Sequence, residues 1–208
     1  MIEMAPTTIK LLYFDARGRA EVSRLVLAAV GQQFEDIRLP REKWATEKAN
    51  TPFGQLPVLE IDGRRYAQSL AIATYLAREF GLYGTTNEDG LAVDQVIQLS
   101  IDLSSSIART HRERDETKKA ELVKKTQEVD VPKFLEFFEK LLHQNGSGYF
   151  VGATLTLADI IVYDQLDSLI KRGFVNTEMY PSIQAFIRNV EGNENIKSYL
   201  KTRTESDH

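Results

Sequence analysis

Three places along this chain combine residue types that could do chemistry. Tyr13 closes a short β-branched and apolar run, residues 7–14, just before the turn Asp15-Ala16-Arg17-Gly18. The carboxyl edge of an open α/β sheet is where ligands bind, so the Tyr13 hydroxyl is a candidate hydrogen-bond donor to a reacting group. A sheet tyrosine with a satisfied hydroxyl is the plainer alternative. Further on, Gln68-Ser69 opens an apolar-periodic helix through Leu70, Ile72, Ala73, Leu76 and Phe80. Ser69 thereby sets a hydroxyl beside orphan backbone N–H groups at a positive helix end, which is a carboxylate site. A hairpin followed by an ordinary N-cap accounts for the same residues. Finally, Asp94, Gln98, Asp102, Ser105 and Arg109 recur at three- and four-residue spacing, beside the apolar stripe Val93, Val96, Ser100, Leu103 and Ile107. One face suits a core and the other suits either a site or solvent.

Other chemistries drop out by composition. The chain has no cysteine, which removes disulfides, thiolate zinc sites and cysteine nucleophiles together. His111, His143 and His208 are far apart and none has a metal-ligand spacing such as HExxH, so no metal is expected. There is neither a GxSxG elbow nor a P-loop. Gly146-Ser147-Gly148 with Gly152 does not follow a strand, so it reads as a loop before it reads as a nucleotide site. A net charge of −4 disfavours nucleic acid or an anionic membrane as partner. Residues 1–6 lack a basic region and an apolar run, and no apolar stretch approaches the ~18 residues of a membrane helix. The expectation is a soluble, cytoplasmic protein. With 42% hydrophobic and 27% charged residues over 208, it can bury a full core in one large domain or two small ones.

The elements that must position these residues follow from periodicity. After the first strand, Val22, Leu25, Val26, Ala29 and Val30 stripe a helix that Gly31 stops. Residues 34–39 alternate as a second strand, and 42–49 form a weak helix containing Trp44. Leu56-Pro57 is an X-Pro bond at which a cis peptide can set a sharp turn. Val58 to Ile61, Asp62-Gly63 and Arg64 to Tyr66 read as a hairpin, because Asp-Gly accepts the positive φ of a type I′ turn. The order β-α-β-α-β-β-α makes a mixed four-stranded sheet, parallel across the helical crossover and antiparallel at the hairpin. After a linker at Gly81-Leu82-Tyr83-Gly84 the chain reads as helical over about 88–114, 116–144, 156–171, 181–190 and 193–201. Pro132 should kink or restart the second of these. Thr156 with Asp159 offers an aspartate version of the capping box.

Several of these motifs, in this order, resemble the cytosolic glutathione S-transferases, most closely their sigma class. They are Leu12-Tyr13-Phe14 with Arg17-Gly18-Arg19-Ala20-Glu21, Pro52-Phe53-Gly54-Gln55-Leu56-Pro57-Val58-Leu59, Gln68-Ser69-Leu70-Ala71-Ile72 with Tyr75-Leu76, and Thr156 with Asp159. The sigma class includes many invertebrate enzymes and the glutathione-dependent prostaglandin D synthase, and the resemblance runs from about 7 to 202. It implies a thioredoxin-like amino-terminal domain (7–82) that binds glutathione. An all-helical domain (86–208) would contribute an electrophile site. Lack of cysteine argues against disulfide exchange on that fold.

The resemblance also implies roles. Tyr13 would donate a hydrogen bond to the glutathione thiolate, with Arg19 nearby. Leu56, before a cis-Pro57, would pair its backbone with the cysteinyl part in a short strand addition. Gln68 and Ser69 would hold the γ-glutamyl carboxylate, and Trp44 and Lys48 the glycine end. Gly54 and Gln55 border the same ligand, with Gln55 standing where some sigma enzymes have lysine. Asp102 would reach the γ-glutamyl ammonium from the partner subunit of a homodimer. An electrophile site between the domains would be lined by Phe14, Arg19, Ser105, Arg109 and Leu200. Gln98 and Ile101 replace carboxylates that bind a divalent ion between the subunits of the vertebrate prostaglandin synthase, and Arg109 replaces a pocket tryptophan. The implied activity is transfer of small hydrophobic electrophiles to glutathione sulfur, with glutathione as co-substrate and no metal. Isomerisation of a prostaglandin endoperoxide is the rival within enzymes, and a non-catalytic binding or structural protein, like the related lens crystallins, is the rival outside them.

Overall fold

The computed structural model of the chain describes residues 8–204. Expectations that fall on residues 1–7 and on His208 lie outside the described residues. By its internal contacts the chain divides into two compact units, one running up to Phe80 and resumed from Asn193, the other spanning Gly81–Gly192.

The first unit is built on four strands in the order β2-β1-β3-β4. β1 (Ile9–Phe14) lies parallel to β2 (Glu35–Leu39) and antiparallel to β3 (Val58–Ile61), which pairs antiparallel with β4 (Arg64–Ala67). The hairpin turn has positive φ at both Asp62 and Gly63, as a type I′ turn requires. Helix α1 (Glu21–Ala29) makes the parallel crossover, and α3 (Ser69–Glu79) packs beside it. The opposite face of the sheet buries Leu12, Leu39 and Val58 under Ile37, Leu56 and Trp44. Trp44 opens α2 (Trp44–Glu47), a single α-helical turn between two 3-10 turns, where the sequence suggests one continuous weak helix.

The second unit is helical. α4 (Asn87–Arg112) begins with a capping box between Thr86 and Asp89, and packs on α7 (Leu157–Lys171). Val93, Val96, Ser100 and Leu103 are buried on one side of α4, while Asp94, Gln98, Asp102, Ser105 and Arg109 are exposed on the other. After α5 (Glu116–Lys125) the backbone passes through one π-helical turn, Thr126–Asp130, into α6 (Val131–Asn145). Pro132 sits in the first turn of α6, so it restarts the helix where its missing N–H has no intrahelical partner to lose. The glycine-rich stretch after α6 is a loop closed by the Asn145 amide, which donates to the carbonyls of Tyr149 and Gly152. α8 (Pro181–Glu191) completes the unit against α6 and α7.

The last helix, α9 (Glu194–Thr202), packs on α1, so by contacts it belongs with the sheet and not with the helices that precede it. The range 86–208 drawn from sequence assigns it to the helical domain because nothing in its amphipathic pattern names the surface it covers. Its amino-terminal cap, Asn193, and its Asn195 both donate to the Ala29 carbonyl at the carboxyl end of α1.

Candidate active site

Tyr13 lies one residue from the end of β1, paired with Arg38 across the parallel ladder. The chain then turns back over it in a 3-10 turn, Gly18–Ala20. Gly18 is needed there twice over. Its φ is +42°, and a Cβ at this position would lie 2.5 Å from the Tyr13 hydroxyl oxygen. The close approach lets the Arg19 backbone N–H donate to that oxygen at 3.1 Å. The hydroxyl therefore accepts one hydrogen bond from the main chain, and its own proton is left to donate to another acceptor. The ring is held edge-on to Phe14, 5.7 Å between centroids, and Phe14 in turn meets Trp44 at 5.6 Å. Both are edge-to-face contacts within the range that aromatic pairs favour. The Arg41 guanidinium lies 5.9 Å from the Phe14 ring centroid, and Arg24 lies 5.9 Å from that of Tyr13.

A second group of candidates gathers where the chain enters β3 and α3. The Leu56–Pro57 bond is cis. Gly54 has φ +63°, and a Cβ there would sit 3.2 Å from the Lys48 Cε, so the aliphatic stem of that lysine lies against the loop. The Gln68 amide donates to the Gln55 side-chain oxygen at 3.3 Å, which ties this loop to the start of α3. Ser69 is the first residue of that helix, and Gln68 holds the capping position with φ +76° and ψ +106°. Glutamine gains nothing locally from that conformation, and no sequence signal announces it. The two residues expected to take a carboxylate thus stand at the positive end of α3.

The remaining candidates are distributed between the units. Phe14, Arg19 and Leu200 belong to the first, with Leu200 half-buried on α9. Asp102, Ser105 and Arg109 stand exposed on α4 in the second. Asp102 also borders a cavity of about 450 Å³ whose other walls include Gln98, Leu99, Phe137 and Lys140. Among the described residues no three of His, Cys, Asp or Glu stand together as a metal site would need.

Sequence reasoning passes over two features. Glu21 and Arg24 read as the polar side of α1, yet both are buried, paired with each other and with groups from three other segments. The only hint is the alternation of charge at Arg17, Glu21 and Arg24, spaced four and three residues apart. Arg41, above the Phe14 ring, carries no signal at all in a short polar stretch.

Both halves of the chain match domains of known proteins. Residues 9–78 match the glutathione S-transferase amino-terminal domain and residues 101–203 the glutathione S-transferase carboxyl-terminal domain. Glutathione S-transferase 4 of Caenorhabditis elegans is 36% identical over 205 residues, covering 95% of this chain and 97% of the relative. S-crystallin SL11 of Nototodarus sloanii is 35% identical, covering 93% of this chain and 95% of its own. Among solved structures, prostaglandin synthase D of Nilaparvata lugens superposes with a TM-score of 0.87 at 35% identity, covering 96% of this chain and all of its own. A glutathione S-transferase of the hookworm Necator americanus, described as monomeric, gives 0.85 at 34% identity, covering 97% and 100%. With both domains matched in order and relatives similar over almost their whole length, this chain belongs to the glutathione S-transferase family.

Proposed function

We propose that this protein is a glutathione transferase that joins the glutathione sulfur to small hydrophobic electrophiles, with Tyr13 as its catalytic residue. The observation that carries this reading is the Tyr13 hydroxyl, which accepts the Arg19 N–H and so keeps its own proton for an acceptor beyond it. A free thiol near pKa ~8.5 is only a few per cent ionised at neutral pH, and each unit of lowering takes about 1.4 kcal/mol. One hydrogen bond to a charged group contributes roughly 1.5 to 3 kcal/mol, which is one to two units. A neutral donor aimed at sulfur therefore keeps much of the bound thiol ionised. The thiol proton passes to water, the sulfur lone pair forms the new S–C bond, and negative charge leaves with the displaced group or is quenched by a proton from solvent.

In this reading Gln68, Ser69 and the α3 amino terminus hold the γ-glutamyl carboxylate, Leu56 beside Pro57 holds the cysteinyl backbone, and Trp44 and Lys48 hold the glycine end. Gly54 and Gln55 border that end, and the Gln55–Gln68 hydrogen bond supports treating the two segments as one surface. Phe14, Arg19 and Leu200 of the first unit contact the electrophile. The protein acts in the cytoplasm, in detoxification, as a sigma-class homodimer to which Asp102 contributes across the subunit interface. Exposed Phe53, Tyr66 and Tyr75, which line a 440 Å³ apolar cavity on the sheet unit, favour a surface that a second copy covers.

The deciding measurement is turnover of a generic aryl halide electrophile with and without glutathione, beside a prostaglandin endoperoxide arm. Glutathione-dependent conjugation supports the reading. Binding of glutathione with no turnover of either substrate would assign the chain to a non-catalytic role, and isomerisation alone would assign it to the prostaglandin reaction, which the likeness to prostaglandin synthase D brings into the test.

A further inference from the structure

Below Tyr13 the first unit encloses a set of charges that no step of the transfer reaction uses. Glu21, the first residue of α1, is 1% exposed. Its carboxylate takes the Tyr199 hydroxyl at 3.0 Å, Arg203 Nη1 at 3.2 Å and Arg24 Nη1 at 3.4 Å, with Arg17 Nε at 3.9 Å. Arg24 is completely buried. Besides Glu21 it meets Asp36 of β2 at 3.1 Å and donates to the carbonyls of Ala16 and Arg17 at 2.9 and 3.2 Å. Asp36 is shared with Arg38, which also reaches Asp15. Two of these partners, Tyr199 and Arg203, come from the end of the chain.

The geometry of α9 explains why they can reach. Asn195 is bonded near the carboxyl end of α1 and Arg203 near its amino end, so the two segments run antiparallel. Eight residues separate the anchors on each, a span of about 12 Å at 1.5 Å per helical residue. Burial, with Glu21 beside it, pushes the Tyr199 hydroxyl well above its ordinary range, so it stays a neutral donor to that carboxylate.

The turn that Arg24 pins by its two carbonyls is the one that delivers the Arg19 N–H to Tyr13, and the same guanidinium lies over the Tyr13 ring. We propose that Tyr199 and Arg203 are positioning residues for Tyr13. They fix the Glu21 carboxylate, Glu21 with Asp36 fixes Arg24, and Arg24 fixes both the turn that holds the Tyr13 hydroxyl and the cation above its ring. The inference rests on the proposed role of Tyr13 and extends the site to the carboxyl-terminal helix. The guanidinium is attracted to the electron-rich face of the ring and so holds the ring, and with it the hydroxyl, in place. Loosening the tether therefore weakens donation to sulfur without removing any group that touches glutathione.

The test compares wild type with Tyr199→Phe, Arg203→Gln and Arg203→Lys. The ionisation of enzyme-bound glutathione is followed by thiolate absorbance against pH, together with pH profiles of kcat and of the glutathione KM. Tyr199→Phe removes one oxygen and is the variant least able to disturb folding. The expected result for Tyr199→Phe and Arg203→Gln is a bound-thiol pKa raised by about half to one unit, which lowers conjugation about three- to tenfold at pH ~6.5 and little at pH ~9. The glutathione KM should stay within about twofold, and Arg203→Lys should recover part of the shift. Should Arg203→Gln not fold, Tyr199→Phe alone decides. Variants that bind and ionise glutathione as the wild type does, with only a lower melting temperature, overturn the inference and leave α9 a structural tether. A wild-type protein whose bound thiol keeps its free pKa overturns the functional reading itself.

Discussion

Tyr13 stands at the meeting of a strand end, a glycine that gives it room and an N–H that orients it, so removal of one oxygen is a clean perturbation. Tyr13→Phe should raise the bound thiol's pKa by about one to two units. Conjugation should fall roughly ten- to a hundredfold near pH ~6.5 and recover substantially near pH ~9, where the thiol ionises unaided, with glutathione affinity little changed. An equal loss at both pH values, read from initial rates, would mean a different role. Tyr13 and Ser69 are legible in the sequence as positions, because each sits at or next to a strand or helix end, while the roles proposed for them come from the family resemblance. Glu21 and Arg24 are not, since a charged residue on a helix reads as solvent-facing until its partners from β2 and the chain terminus are seen around it. Gln68 is legible as a residue but not as a conformation, because its positive φ is imposed by the loop and the helix on either side.

Among the helices, α7 is set by its first turn. The Asp159 carboxylate takes the N–H and hydroxyl of Thr156, each at 2.7 Å, and the N–H of Phe150 at 2.8 Å, so it joins the loop after α6 to the helix it caps. Burial pushes its carboxyl up to about 6, and the hydrogen bonds only partly oppose this. A raised folded-state pKa stabilises fully below the unfolded value of about 3.9, and the stabilisation fades as pH climbs through about 6. Asp159→Asn, which turns an amide toward donors that need an acceptor, should destabilise by about 1 to 3 kcal/mol at low pH. The wild type's advantage should then shrink by up to about 3 kcal/mol between pH ~4 and pH ~7. Urea midpoints of both proteins across that range would check it, and an advantage that grows with pH would show that the hydrogen bonds outweigh burial. The Thr156–Asp159 spacing announced this cap, and the type I′ hairpin was equally plain at Asp62-Gly63. A second capping box, Thr86 with Asp89, has the same spacing and is passed over by sequence reasoning, although the start of α4 is read within one residue of Asn87. The range of α9 is equally readable, 193–201 against Glu194–Thr202, and what stays hidden is the surface it packs on and the break of the α2 region into separate turns.

For the assembled protein, the proposal that Asp102 serves a neighbouring subunit has a sharp consequence. The γ-glutamyl ammonium needs a counter-charge, and Ser69 with the α3 end suits only the carboxylate. Asp102→Ala should weaken glutathione binding by roughly 2 kcal/mol or more. A heterodimer of Tyr13→Phe and Asp102→Ala chains would then hold one doubly impaired site and one intact site, and should show about half of wild-type activity. If Asp102 acts within its own chain, each site carries one lesion and activity stays low. β-strand and helical periodicities separate near Gly81, where the internal contacts also divide the chain. The return of the chain to the first unit at Asn193 has no such mark in the sequence.

That return bears on how the protein is made. The helical unit is one unbroken stretch, Gly81–Gly192, whereas the sheet unit also takes in residues from Asn193 on, which are made after the helical unit. Between Ala29 and Arg203 lie about 170 residues, which at roughly 5 to 20 residues per second is on the order of ten to thirty seconds of synthesis. For that interval the Glu21 carboxylate lacks Tyr199 and Arg203, and the last carbonyl of α1 lacks the asparagines of α9. The sheet unit is therefore completed only after the helical unit has been made, and a nascent chain stalled before α9 carries a complete helical unit behind an incomplete sheet.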